Sequence, residues 1–234
     1  MTTLTGKVAV ITGASRGIGA ALAQLLDEQG VKLGLASRRG DDLGLDAVAQ
    51  PCDVRDYAQV ESLVNTTVER FGRLDILVAN AGVGAYAPVH ELSLEWLDEI
   101  IDTNLKGTLY AVRAAVPHLL EAGAGDIVTV GSVAGLRGLP LESVYCASKF
   151  GQVGFTRALD HELREHGIRC TNVCPGGVAT DFALEAGRGR SPDVLPSMMS
   201  AAEAAEVVLF ALTRPRNQRL LDLAFRPMSE PSWG

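Results

Sequence analysis

Residues 12–19 read TGASRGIG and follow directly on the β-branched run KVAVIT at 7–12. A glycine-rich turn that leaves a strand and opens a helix restricts a chain to few architectures. Glycine admits positive φ at the turn and lets the backbone approach a bound group closely. The first N–H groups of the following helix, with its dipole, favour an anion there. With a strand before and a helix after, Gly13, Ser15, Arg16, Gly17, Ile18 and Gly19 form a candidate cradle for the pyrophosphate of a dinucleotide. The same letters also fit a simple turn under a tightly packed helix, so the rest of the chain must decide.

Short apolar runs continue to alternate with amphipathic stretches. KLGLAS (32–37), AVAQPCDV (47–54), LDILVANAG (74–82), GDIVTVGS (125–132), IRCTNVCPG (168–176) and LLDLAFRP (220–227) read as further strands. Residues 17–29, 57–71, 94–121, 145–166 and 202–213 carry apolar positions at three- and four-residue spacing and read as helices. Uninterrupted apolar strands such as DILVANAG suit a sheet buried on both faces. The expectation is an α/β fold: a doubly wound, Rossmann-type parallel sheet of about seven strands with helices on both faces. Neither a repeat nor a linker divides the 234 residues, so residues 1–234 are expected to form a single domain. The least regular segment, 181–200, reads either as a surface loop or as a substrate loop that closes over a site. Its arginines, Arg188 and Arg190, are expected to face solvent.

Charge and cysteine content exclude several function classes. The formal charge is −7 with both signs interleaved, which argues against a nucleic-acid surface or a polybasic membrane anchor. No apolar stretch approaches a membrane span, and the start lacks the features of a secretory signal. Cys52, Cys146, Cys170 and Cys174 make no CxxC and have no histidine cluster at ligand spacing, so no metal site is expected. They read as small core hydrophobes of a reduced, cytoplasmic protein.

The end of the second strand bears on cofactor choice. A fold that prefers NAD usually carries an acid there for the ribose 2′-hydroxyl, whereas this chain has Ser37 followed by Arg38 and Arg39. Guanidinium groups bind a 2′-phosphate well and a carboxylate would repel it. NADP(H) is therefore the expected cofactor, NAD(H) remains possible, and Arg16 could reach the same phosphate. About ten residues separate the second strand from the third, too few for an ordinary crossover helix. That helix is expected to be one turn or absent.

In YCASK (145–149), Tyr145 and Lys149 stand four apart and share one helix face. Alone, the pair fits chemistry or an ordinary surface with a snorkelling lysine. It has company, however: TGASRGIG, ANAG (79–82), Asn104 in DTNLKGT, Ser132 in VGSVAG and PGGVAT (175–180) follow in order. Over nearly its whole length the chain resembles the short-chain dehydrogenase/reductase family, in its compact single-domain branch. The resemblance implies a catalytic tetrad of Asn104, Ser132, Tyr145 and Lys149. In it the tyrosine is the proton donor or acceptor, and the lysine tunes it and binds the nicotinamide ribose. Free tyrosine titrates near 10, and a nearby ammonium favours the phenolate. Ser132 would hold the substrate oxygen, and Asn104 a water that extends a proton relay.

The resemblance also implies cofactor contacts from Asp53 and Val54 at the adenine, from Asn80, Ala81 and Gly82, and from Pro175, Gly176, Val178 and Thr180 near the nicotinamide. For ANAG, a structural turn is an equal alternative. The implied substrate is a small carbonyl compound or alcohol, and the implied assembly a homodimer or homotetramer through the helices at 94–121 and 145–166. A rival reading is a nucleotide-sensing module of the same fold without turnover. A nucleotide-sugar epimerase or dehydratase would want a longer C-terminal substrate lobe.

Overall fold

The computed structural model describes residues 2–184 and 192–231. In chain order they form β1 (Val8–Thr12), α1 (Gly17–Glu28), β2 (Lys32–Ser37), β3 (Ala47–Pro51), α2 (Tyr57–Phe71) and β4 (Ile76–Ala79). Then come α3 (Leu94–Ile100), a π-helical turn (Ile101–Lys106), α4 (Gly107–Glu121), β5 (Gly125–Val130), α5 (Ser143–Leu163) and β6 (Ile168–Pro175). The last elements are β7 (Val178–Ala179), α6 (Asp181–Leu184), β8 (Met199–Ser200), α7 (Ala201–Leu212) and β9 (Asp222–Phe225). Seven strands make one parallel sheet in the order β3-β2-β1-β4-β5-β6-β9. The expected doubly wound sheet is what forms.

Alternation along β1 shows how both faces are covered. Val8 and Val10 join a core with Val60, Leu63 and Val64 of α2, Ala111 and Leu119 of α4, and Leu159 and Leu163 of α5. Ala9 and Ile11 point the other way, to Leu22 and Leu26 of α1 and Val208 and Leu212 of α7. Every residue of β1 is buried, and each large aliphatic side chain so enclosed contributes about 1.5–3 kcal/mol. All four cysteines are free and buried. Burial pushes the Cys170 thiol up to about 12 and those of Cys52 and Cys174 up to about 11, which leaves them inert core groups.

The short crossover has lost its helix, as its length predicts. Residues 38–46 turn back without one, with Gly40, Leu43 and Gly44 at positive φ. Helix α2 instead packs onto β2, so closely that a Cβ at Gly34 would stand 2.2 Å from Thr67 Oγ1. The helix expected over 94–121 is continuous in space but carries the π-helical turn in its middle. Helix α2 is stopped at both ends by its own residues: Asp56 accepts hydrogen bonds from the Ala58 and Gln59 amides, and Gly72 closes it at φ 81°.

Strand β1 pairs with β2 on one side and β4 on the other, so chain order reverses between β1 and β4. Loops leaving those two carboxyl ends diverge to opposite faces and open a crevice. The two loops are TGASRGIG and ANAG. Short strands β7 and β8 pair Val178 with Met199 and Ala179 with Ser200, so the two ends of the irregular segment meet at the same rim. Arg188 and Arg190 lie outside the described residues. Among the described residues, no helix is long and apolar enough to cross a membrane.

Candidate active site

The glycine loop is built on two near-contacts that only glycine permits. Gly13 sits at φ 66°, and a Cβ there would come 2.8 Å from the Ala81 Cα. At Gly19 a Cβ would fall 2.4 Å from the Gly13 carbonyl oxygen and 2.6 Å from Asn80 Nδ2. The two loops are also tied by hydrogen bonds: Thr12 Oγ1 accepts from the Asn80 and Ala81 amides at 3.0 and 3.1 Å. Asn80 Nδ2 donates to the carbonyls of Thr12 and Gly13 at 2.9 and 3.1 Å. The Asn80 side chain thus braces the turn, while Asn80, Ala81 and Gly82 also face the cleft.

These loops floor a cleft of about 230 Å³ along the carboxyl edge of the sheet. One end is lined by Ser15, Arg16, Ser37, Arg38, Asp53, Val54 and Arg55, the other by Ser132, Tyr145, Lys149, Val178, Thr180 and Phe182. Gly13, Gly17, Ile18, Asn80, Ala81, Gly82, Pro175 and Gly176 line the stretch between. Two candidates for cofactor contact stand back from it. Gly19 is packed under the loop, and Arg39 is exposed beyond the end of β2.

The charged end is more elaborate than the sequence suggests. Arg55 donates Nε and Nη2 to the Asp53 carboxylate, at 3.0 and 2.5 Å, and pairs through Nη1 with Glu99 of α3. Hydrogen bonds from Arg55 hold the Asp53 carboxyl below its usual range, with Arg38 adding a smaller charge effect. Arg16 Nη1 lies 3.8 Å from Asp181 Oδ2, an exposed pair of the kind that contributes little to stability.

At the other end, α5 presents Tyr145 and Lys149 on one buried face, 5 % and 4 % exposed. Lys149 Nζ donates to the Val130 carbonyl at 3.1 Å and lies 5.6 Å from the centroid of the Tyr145 ring. Burial pulls its ammonium down from 10.5 to about 8, opposed in part by Cys174. Ser132 follows β5, and its Oγ accepts from the Ala134 amide at 3.1 Å. That leaves its proton for an acceptor in the cleft.

Asn104 is fully buried behind Gly82 and Val83. Its Oδ1 accepts from the Val83 amide at 2.7 Å, and its Nδ2 donates to the Val83 carbonyl at 2.9 Å and to Ser148 Oγ at 3.0 Å. A π turn frees carbonyls from the regular i+4 pattern. Here the Asn104 carbonyl accepts from Thr108 Oγ1 at 2.8 Å and Gln152 Nε2 at 2.7 Å. Ser148, Gln152 and Thr108 were not among the residues singled out from sequence. The signal was present: Ser148, Gln152 and Thr156 form a polar row at four-residue spacing on the buried face of α5.

The chain matches the sequence model for short chain dehydrogenase over residues 7–190. The chain belongs to the short chain dehydrogenase family. An uncharacterized oxidoreductase of Staphylococcus aureus (strain N315) is 35 % identical to it over 236 residues, covering 97 % of this chain and all of the relative. Among solved structures, an alcohol dehydrogenase from the archaeon Thermococcus sibiricus, complexed with 5-hydroxy-NADP, is similar at TM-score 0.86 and 31 % identity. That match covers 97 % of this chain and 99 % of that one. The closed form of serine dehydrogenase complexed with NADP+ superposes at TM-score 0.90 with 28 % identity, covering 97 % of both chains. As a short chain dehydrogenase the protein is an oxidoreductase, and its family relatives bind nicotinamide cofactors in NADP or NADH form.

Proposed function

We propose that this protein interconverts a carbonyl compound and an alcohol with NADP(H), with Tyr145 as proton donor and acceptor. The observation that carries the reading is the single cleft that joins a glycine cradle to Ser132, Tyr145 and Lys149. The residues suit a dinucleotide. Gly13 and Gly17 hold positive φ without side chains in the way, and Arg16 at the start of α1 contributes no side-chain cap to its first amides. Those amides are the expected seat of the pyrophosphate. Asp53 and Val54 would meet the adenine, Lys149 the nicotinamide ribose, and Thr180 the carboxamide. The bound nicotinamide supplies or accepts the hydride.

The chain's own groups handle the proton and the oxygen. In the reducing direction Tyr145 Oη gives its proton to the carbonyl oxygen, and Ser132 Oγ donates a hydrogen bond to the same atom. Lys149 holds a buried positive charge one helical turn away, which stabilises charge developing on the phenolic oxygen. Asn104, bound at every polar atom, positions α5 against the loop at 82–83. The substrate loop expected over 181–200 is assigned by this reading to the rim where β7 and β8 pair; residues 185–191 of it lie outside the described residues.

Preference for NADP(H) rests on the end of β2. Ser37 is buried and Arg38 lines the cleft where a carboxylate would select NAD. The test is calorimetric titration with NADPH and NADH. Wild type is expected to bind NADPH more tightly, and Arg38→Asp should lower the NADPH/NADH affinity ratio by tenfold or more. An unchanged ratio would place the 2′-phosphate elsewhere.

Self-association belongs to the same reading. Leu109 on α4 and Phe150 on α5 are exposed, 37 % and 46 %, on the two helices through which family members assemble. Light scattering at micromolar concentration is expected to give at least twice the 24.7 kDa of one chain; a mass of one chain would remove this part of the proposal.

A further inference from the structure

The chain beyond β9 turns back toward the loop that follows β6. Strands β6 and β9 pair Cys174 with Ala224 and Pro175 with Phe225. The Gly176 amide extends this ladder by donating to the Phe225 carbonyl at 2.8 Å. The chain then reverses in a turn closed by the Glu230 amide, which donates to the Pro227 carbonyl at 3.0 Å. That turn brings the Glu230 carboxylate against the backbone of Gly176 and Gly177. Its Oε1 accepts from the Gly177 amide at 2.9 Å, and its Oε2 accepts from Arg226 Nε at 2.9 Å. Side chains at the two glycines would collide with it. A Cβ at Gly176 would stand 2.7 Å from Oε2, and one at Gly177 2.8 Å from Oε1. Neither glycine has positive φ, so the pair makes room for the carboxylate rather than serving a left-handed turn.

This contact is more than a surface ion pair. The Arg226 and Glu230 side chains are only 13 % and 19 % exposed, and Gly177 is buried. The bond to the Gly177 amide is therefore charge-assisted, with little water to compete for it. The Gly177 carbonyl is engaged as well, accepting from the Met199 amide at 3.2 Å where β7 meets β8. Next to Glu230, Ser229 Oγ donates to the Ser197 carbonyl at 2.6 Å. The C-terminal turn thus grips both segments that enter the β7–β8 pair. Glu230 does not line the cleft, but Pro175, Gly176, Val178 and Thr180, on either side of the gripped amide, do.

From this arrangement we infer that Glu230 is a positioning residue for the nicotinamide half of the cofactor. Its carboxylate sets the backbone of Gly176 and Gly177, and that backbone places Val178 and Thr180. The inference rests on the NADP(H) reading above. Arg38 and Asp53, assigned to the adenosine half, follow β2 and β3 at the opposite edge of the sheet from β9, so binding of that half is independent of the turn.

The experiment titrates NADPH and adenosine 2′,5′-bisphosphate, the fragment without the nicotinamide half, into wild type, Glu230→Ala and Gly177→Ala by calorimetry. Glu230→Ala removes the acceptor, and the new Cβ of Gly177→Ala pushes the carboxylate off the amide from the other side. Thermal unfolding of each variant checks that the fold is kept. Both variants are expected to bind NADPH roughly tenfold more weakly, as a buried amide is left without its acceptor, and the bisphosphate within about twofold of wild type. If wild type prefers NADH, the pair becomes NADH and AMP with the same expectation. Lower thermal stability with unchanged dinucleotide affinity would make the contact structural and overturn the inference. An equal loss for dinucleotide and fragment would overturn it too, while leaving the cofactor reading in place. Wild type that binds neither NADPH nor NADH would overturn the cofactor reading, and this inference with it.

Discussion

Tyr145→Phe is expected to lower kcat by about a thousandfold, within the range that a positioned proton donor contributes, while NADPH affinity stays within a few-fold of wild type. The substitution removes one oxygen and keeps the ring. Its contacts with Tyr86, Phe182 and the Lys149 ammonium are made by ring atoms, so the packing of α5 should survive. The groups assigned to the dinucleotide, from Gly13 to Thr180, are otherwise untouched. Three readouts on the same protein separate the explanations. Thermal unfolding close to wild type shows that the fold is intact, calorimetry reports cofactor affinity, and steady-state kinetics reports the chemistry. A kcat within tenfold of wild type would mean that another group, or water, moves the proton. A parallel loss of NADPH affinity would make the residue structural.

This prediction could be framed from five letters and their company, and much of the rest was equally legible. Glycine, β-branched residues and three-to-four periodicity are local signals, and they marked the seven main strands and the missing β2–β3 helix. The π turn was not legible, because one extra residue in a helical turn barely disturbs an apolar pattern that continues on both sides. Nor was the partnership of Asn104 with Ser148 and Gln152, which depends on how α5 lies against the π turn. Side chains more than forty residues apart have no shared pattern in the sequence. The ring contacts are of the same kind: the rings of Tyr86 and Phe182 flank that of Tyr145 at 6.0 and 5.9 Å between centroids, from three separate segments. Arg55, two residues after Asp53, carries no local signal of its reach to Glu99 on α3. Local chemistry was readable from the chain; convergence across the sheet edge was not.

Lys149 should carry the second large effect, and it separates stability from function. Lys149→Met is expected to abolish measurable turnover, because the charge proposed to support Tyr145 and to hold the cofactor ribose is gone. Its effect on stability without cofactor should run the other way with pH. Burial lowers the folded-state value to about 8, against 10.5 for the exposed group. Below about pH 8 both states are protonated, and the folded protein bears the full penalty of a buried ammonium. Between about 8 and 10.5 the unfolded chain holds a proton that the folded one has released, so wild-type stability rises with pH in this window. Methionine removes that titration and keeps most of the side-chain volume. The stability of wild type minus that of Lys149→Met should therefore increase from pH 7.5 to 10.5 by on the order of 3 kcal/mol. The difference cancels titrations that the two proteins share, such as those of the other lysines. Urea unfolding of both proteins across this range reads it directly. Two curves that stay parallel would show that the Lys149 ammonium is solvated in the free protein. Curves that converge or cross toward pH 10, with turnover lost throughout, would show a group kept at a cost to the fold because the chemistry requires its charge.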